Sequence, residues 1–479
     1  MNDMQDNAKQ NRVVQMLRNL GIYAVGGIGS RLMTFLLVPI YSFFIAPSEF
    51  GYYDICFAVI MLMLPFLSMQ LRDGAFRFLL DAQTDEERTK IVTFSMLTML
   101  RTSVACVALG AVAYCMFDIK YMWHTVAFGI VFAVFEVVQQ MLRGLGHNKL
   151  YAGIGILTSF LIFSLSVPLV IWADMGVEGV FAGNILARLV ALMFAEWRVG
   201  MFSRYIRLHA DVKAIGCEIL RFSYPLIVVN LIVIFIASGN RFFIEHFLGL
   251  YENGLYAVAV KFACILEALT LIVNQTWQET AIRQYADADR DSFYSKIFNT
   301  YLWFLVIVVV GVSYVVRFSY GYIVGSEYQE SVWLVYPLVL SSMLLSLLVF
   351  YDVAYQCSKQ TSRQLPCLVI ALFISIASNY FFSKWWGLYG ILASINVTYI
   401  FMLIYKVIDT RRYMLLTINY RSIMMIGLLI LSGVMYYVLT ETLSLVVYFV
   451  VACAASFVIC PKTILDFAAE KLKLKTAKP

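Results

Sequence analysis

This sequence offers little for redox or metal chemistry. None of its nine cysteines stands in a CxxC pair, and its four histidines, at 124, 147, 209 and 246, form no metal-ligand spacing. Most of the cysteines lie inside apolar runs, where a thiol packs as a small hydrophobe. Charge is scarce as well: 14% of residues are charged, against roughly a quarter in a soluble domain. A net charge of +6 is too small and too spread out for a nucleic-acid partner. No phosphate-binding loop is present either. The glycine pairs in "GGIGSR" and "GIGIL" sit within apolar runs, where they allow close helix approach. Long polar segments are also missing, which excludes a membrane glycosyltransferase or polymerase that carries its catalytic acids in an extramembrane loop. No cofactor, no metal and no enzymatic activity are expected.

What the chain does have is apolar length. Of its 479 residues, 61% are hydrophobic, and the runs recur from end to end, long enough for the ~30 Å hydrocarbon core. Fourteen are read, at 20–45, 52–79, 91–117, 121–143, 150–173, 178–201, 222–248, 254–279, 297–324, 331–356, 365–385, 388–408, 421–439 and 443–461. Backbone groups find no partners in lipid, so each run must be a helix. The first is too long for a signal-peptide core and is expected to stay as a span. The fold class is therefore all-α, a polytopic membrane protein.

Basic residues set the direction. Lys9, Arg12 and Arg18 precede the first run; Arg198, Arg204, Arg207, Lys213 and Arg221 join the sixth to the seventh; and Lys471, Lys473, Lys475 and Lys478 close the chain. Links on the other side hold Lys120, Arg317 and Lys384, with Glu49, Asp118, Asp174, Glu252, Glu327 and Glu441. The positive-inside rule then puts both termini in the cytoplasm.

Two motifs repeat. "APSEFGYYDI" matches "GLYENGLYAV", with Gly51 on Gly254 and Glu49 on Glu252, an offset of 203. "DMGVEGVFAG" matches "WWGLYGILAS", with Gly176 on Gly387 and Gly179 on Gly390, an offset of 211. Six runs separate the copies, so both halves share one orientation, a parallel repeat as in one class of secondary transporter. The expected organisation is two six-helix lobes, 1–213 and 214–413, with two further helices and a basic tail over 414–479. Prolines at 39, 65, 168, 225, 337 and 366 suit bent helices.

Charges inside the runs are the candidate functional residues, because each costs roughly 2.5–3.5 kcal/mol at the centre of a span. Arg31, Arg188, Glu136 and Glu267 lie deep; Arg72, Asp73 and Arg77 close the second run; Lys261 stands a third of the way along the eighth; and Asp352 lies near the inner end of the tenth. Asp73 with Arg77 and Arg241 with Glu245 are spaced i,i+4 and can neutralise each other on one helix. Glu136 has Arg31 or Arg188 as a candidate partner. Asp54 reads as a solvated end residue.

Arg31 in "GIGSRLMTFLLVPIYSFFIAPSEFGYY", Arg77 in "LRDGAFRFLL", "LRGLGHNKLYA", "YPLIVVNLI" and "NRFFIEHFLGLYENGLYAVAVKF" together resemble the bacterial polysaccharide flippases, which carry O-antigen or capsule repeat units. They belong to the multidrug/oligosaccharidyl-lipid/polysaccharide exporter superfamily. The resemblance implies a bacterial inner-membrane flippase that moves an undecaprenyl-pyrophosphate-linked oligosaccharide to the periplasmic leaflet by alternating access. Its partners would be that lipid-linked oligosaccharide, membrane lipids, H+ or Na+ as a coupling ion, and the polysaccharide polymerase and chain-length machinery. Arg31, Arg72, Arg188, Arg241 and Lys261 would bind the anionic headgroup, and Glu136 and Glu267 would couple an ion. The alternatives are a flippase for the peptidoglycan-precursor lipid and a cation or drug antiporter of the same superfamily. The family often carries Asp before the arginine of the seventh span, where this chain has Asn240; Glu245 is then the expected partner of Arg241.

Reporter fusions after Tyr205 and after residue 475 are expected to read cytoplasmic, and a fusion at Glu252 periplasmic. A periplasmic carboxyl end would overturn the fourteen-span order.

Overall fold

The computed structural model describes residues 33, 35–117, 119–207, 211–285 and 289–459. Among them the chain is helical, with no strand. The helices are α1 (Phe35–Phe44), α2 (Pro47–Leu67), α3 (Leu71–Asp81), α4 (Asp85–Met116), α5 (Met122–Gly144), α6 (Asn148–Ile171), α7 (Gly176–Val199) and the short α8 (Met201–Tyr205). They continue as α9 (Lys213–Ser238), α10 (Asn240–Phe247), α11 (Leu250–Arg283), α12 (Arg290–Ile323), α13 (Val332–Cys357), α14 (Gln364–Thr410), α15 (Tyr420–Val438) and α16 (Thr442–Val458). Eleven helical stretches of the described residues are long and apolar enough to cross a membrane, and α1 and α16 are shorter apolar helices. The longest helix, α14, is two joined at Gly387, whose φ of 57° and ψ of −133° are not helical. Each of the fourteen apolar runs thus has its helix, the first over its described part.

Two compact units form, Met1–Glu245 and His246–Pro479. The sequence repeat divides the chain at 213/214 instead. The difference lies in α9, which packs against α2, α3 and α4 of the first unit. Small residues allow that packing. A Cβ on Gly74 of α3 would come within 2.2 Å of Ser223 Oγ on α9, and one on Gly216 of α9 within 2.3 Å of the Phe94 ring on α4.

The repeat reappears as geometry within each unit. α2 starts at Pro47 and α11 at Leu250, the offset of 203 seen in the sequence. Gly176 and Gly387 take φ of 51° and 57°, the left-handed region open to glycine. Each starts a helix that folds back on its predecessor. Three residues later, a Cβ on Gly179 would lie 3.1 Å from the Leu169 carbonyl carbon, and one on Gly390 would lie 1.9 Å from the Phe382 oxygen. The motif marks a tight helical hairpin in both units.

One feature is not repeated. α11 runs unbroken for 34 residues, whereas its counterpart in the first unit breaks between α2 and α3. Met69 and Gln70 there take φ of 46° and 52°, which costs strain in residues that carry a Cβ. The freed carbonyls are satisfied locally: Ser68 Oγ donates to Leu64 O at 2.7 Å, and Thr102 Oγ1 donates to Leu67 O at 2.7 Å.

In the second unit, Trp277 of α11 stacks on Phe350 of α13 with ring centres 4.2 Å apart and donates to the Phe350 carbonyl at 3.1 Å. Tyrosine hydroxyls dock α15: Tyr314 donates to Ser432 O at 2.9 Å and Tyr436 to Val332 O at 2.7 Å.

Gly183 of α7 sits so close to α6 that a Cβ would meet Ser166 Oγ at 2.1 Å, while Gly427 of α15 faces open space. Gly183→Val is therefore expected to destabilise the protein by about 1–3 kcal/mol. Thermal unfolding in detergent should show a lowered midpoint for Gly183→Val and little change for Gly427→Ala.

Candidate functional site

In the first unit, Arg72, Arg188 and Arg241 are each answered differently. The break after α2 starts α3 at Leu71, and Arg72 of α3 donates through Nη1 to Glu136 Oε2 of α5 at 3.0 Å. Their side chains are 43% and 20% exposed, so this pair lies open to the surroundings. Asp73 Oδ2 accepts from Gln70 Nε2 at 2.6 Å and helps fix the break. Arg77 pairs with Asp81 at 2.6 Å, one turn further on, and not with Asp73 as the spacing had suggested.

Arg188, at the middle of α7, is 8% exposed. No carboxylate pairs with it among the described residues. Its Nη1 donates to the Asn184 carbonyl at 3.0 Å and to Asn184 Oδ1 at 2.9 Å, one turn back on the same helix. Its guanidinium carbon lies 5.1, 4.7 and 5.9 Å from the ring centres of Phe128, Phe132 and Phe135 on α5. Ring faces attract a cation without neutralising it. Its Nε is buried with no hydrogen-bond partner.

Arg241 opens α10 and donates through Nε to Asp54 Oδ2 of α2 at 2.6 Å. Both side chains are nearly inaccessible, at 11% and 7%. This corrects two expectations. Asp54 is not a solvated end residue, and the carboxylate that answers Arg241 comes from α2, not from Glu245, which is exposed. Nearby, Glu49 of α2 accepts from Lys120 Nζ at 2.6 Å and from the Tyr121 hydroxyl at 2.9 Å. That carboxylate holds the Lys120 ammonium above its ordinary pKa.

Arg31 lies outside the described residues. Glu136, expected beside Arg31 or Arg188, is taken by Arg72.

The second unit is built differently. Asp352 of α13 and Lys406 of α14 form a buried ion pair that neutralises both. Along α11, Glu267 Oε1 accepts from Ser342 Oγ at 3.3 Å, Thr270 Oγ1 from Ser346 Oγ at 3.1 Å, and Asn274 Oδ1 from the Tyr301 hydroxyl at 2.9 Å. These make a polar seam between α11, α12 and α13. Lys261 is half-buried on α11 and makes no salt bridge among the described residues.

The family model described as "Polysaccharide biosynthesis protein" matches residues 16–278, more than half the chain. The chain belongs to this polysaccharide biosynthesis family. Among solved structures it is similar to the lipid II flippase MurJ in an inward closed conformation, with a TM-score of 0.67 and 11% identity over 93% of this chain and 99% of that one. It is also similar to an inward-facing multidrug resistance MATE family transporter of the MOP superfamily, with a TM-score of 0.61 and 14% identity over 80% and 95%. A MATE transporter of Vibrio cholerae gives 0.57 and 14% over 83% and 97%. No curated protein matches. At these identities the structural likeness establishes the fold alone, one shared with these transporters and this flippase. The protein is thus a multi-pass membrane protein of the polysaccharide biosynthesis family.

For this family member, the Asp54–Arg241 pair gives a direct test of buried charge. Removing one partner leaves the other charge buried and alone, at a cost of about 3–5 kcal/mol. Asp54→Ala and Arg241→Ala are each expected to lower the thermal midpoint in detergent, and the double variant to be more stable than either single one. Additive losses would mean that the two groups do not depend on each other.

Proposed function

We propose that the protein moves an undecaprenyl-pyrophosphate-linked oligosaccharide from the cytoplasmic to the periplasmic leaflet of a bacterial inner membrane, by alternating access. Membership of the polysaccharide biosynthesis family carries this reading. The chemistry of the first unit supports it. A diphosphate headgroup is anionic and strongly hydrated, and a guanidinium offers it several planar donors. Arg31 and Arg72 are the groups proposed to touch it, with Arg188 as the buried charge behind them; Arg241 is already neutralised by Asp54, and Lys261 belongs to the second unit. Arg188 suits a supporting part because its only hydrogen-bond partner among the described residues is the neutral Asn184. Lipid II is the second reading, favoured by the match to nearly the whole of MurJ. Both readings imply a lipid-linked substrate within the membrane. The polymerase and chain-length machinery would take the product on the periplasmic side.

Energy is supplied by the membrane potential or by an ion. Outward movement of an anionic headgroup is favoured by an inside-negative potential, at ~2.3 kcal/mol per charge for each 100 mV. The two deep acids differ as coupling candidates. Glu136 already answers Arg72, so its carboxylate is engaged by a guanidinium. Glu267 shares a seam with hydroxyls of Ser342, Thr270 and Ser346, oxygen groups of the kind that surround a small cation. Glu267 is the stronger candidate for H+ or Na+ coupling.

Proteoliposomes carrying fluorescent undecaprenyl-pyrophosphate-linked oligosaccharide test the reading. The parent protein should transfer the probe between leaflets, faster when the potential favours the anion. A charge-assisted hydrogen bond is worth about 1.5–3 kcal/mol, so Arg31→Ala and Arg188→Ala should slow transfer by about 10- to 100-fold, with partial recovery in Arg31→Lys. Glu267→Gln should lose any response to an imposed pH or Na+ gradient. Transfer of lipid II in preference to the oligosaccharide lipid would assign the second reading, and export of organic cations alone would overturn both.

A further inference from the structure

Glu136 occupies a special place between two of the arginines. Phe128, Phe132 and Glu136 are spaced i, i+4, i+8 along α5, so they form one stripe on one face of the helix. Two members of that stripe, Phe128 and Phe132, lie against the Arg188 guanidinium, Phe132 at 4.7 Å from its carbon. The third, Glu136, turns to Arg72 instead. Four residues, a rise of about 6 Å, separate Glu136 from the level of Phe132. Its carboxylate already acts electrostatically on Arg188, whose Nε is buried and without a hydrogen-bond partner.

The two arginines differ in the way such an exchange needs. Arg72 is 43% exposed, with Glu136 at 3.0 Å and Asp73 at 3.9 Å. Arg188 is enclosed, and an amide and three ring faces surround it with no ion pair among the described residues. A buried cation without a counter-ion is a poor resting arrangement, and the nearest carboxylate on the facing helix is Glu136. We infer that Glu136 is an exchangeable counter-ion: it neutralises Arg72 when the site is empty, and moves to Arg188 when an anionic phosphate takes its place on Arg72. Arg72 is then the group that touches the phosphate, and Arg188 is a positioning residue that receives the displaced carboxylate. The new pair lowers the cost of displacement and draws α5 and α7 together at the level of the ligand. This inference rests on the proposed binding of a phosphate-bearing headgroup and assigns its residues distinct parts.

The test is a pair of double-variant cycles on the full chain in lipid nanodiscs, with undecaprenyl pyrophosphate as the probe and dissociation constants as the readout. Asn184→Asp gives Arg188 a carboxylate of its own, so a displaced Glu136 has nowhere to go. Arg188→Met removes the destination and fills the phenylalanine cage with an apolar chain. Each is expected to weaken binding about tenfold in the parent, a typical coupling for contacting charged groups, and to have no effect in the Glu136→Gln background. Thermal midpoints on the same samples confirm that each variant is folded, and either variant alone suffices for the cycle. Equal weakening in both backgrounds would overturn the exchange and make Arg188 a direct ligand of the phosphate. If the parent does not bind undecaprenyl pyrophosphate at all, the proposed function falls, and the exchange with it.

Discussion

A charge in hydrocarbon has to be answered inside the protein, because the bilayer core supplies no water. In the first unit, one constraint is met in three ways. Arg241 is met by a buried carboxylate on another helix, Arg72 by a carboxylate that stays partly open, and Arg188 by an amide and three aromatic faces. The order matters for function. A full buried pair is inert to an incoming anion, an open pair can be contested, and an uncompensated cation attracts. Within one unit the chain therefore holds a buried ion pair, a partly open ion pair and an arginine surrounded by neutral groups.

The duplicated architecture supplies the frame and departs from symmetry where the chemistry lies. Hairpins at Gly176 and Gly387 are alike in backbone and in close approach. α2–α3 and α11 start at equivalent places, yet only the former is broken among the described residues. The break presents Arg72 to Glu136. Its unbroken counterpart presents Glu267, Thr270 and Asn274 in a straight seam of hydroxyl and amide partners. One unit thus offers guanidinium groups suited to an anion, the other a carboxylate and hydroxyls suited to a small cation.

Much of this was legible from residue order alone. The helical runs could be read because apolar length in lipid permits one backbone solution, and the glycine motifs at 176 and 387 because they recur in sequence. Partners of the buried charges were not legible. The i,i+4 rule sees only one helix, so it assigned Glu245 to Arg241 and Asp73 to Arg77, whereas the true partner of Arg241 stands 187 positions away. Glu136 lies 64 positions from Arg72, and no local spacing could have joined them. The break at Met69 and Gln70 was hidden for another reason. Apolar residues continue through "FLSMQLRD", and the cue was a proline four positions upstream with serine and glutamine, polar groups that can cap a severed helix.

Asn240 shows how these answers depend on one another. The sequence resemblance sets the expectation of an Asp before this arginine, on the arginine's own helix. Here that position is a buried amide, and the carboxylate comes from Asp54 on α2. The placement decides what the pair does. A local pair travels with its helix through any rearrangement, while a pair shared between α2 and α10 must break before those helices can part. Moving the acid to a neighbouring helix turns a device that neutralises charge into one that also holds two helices together.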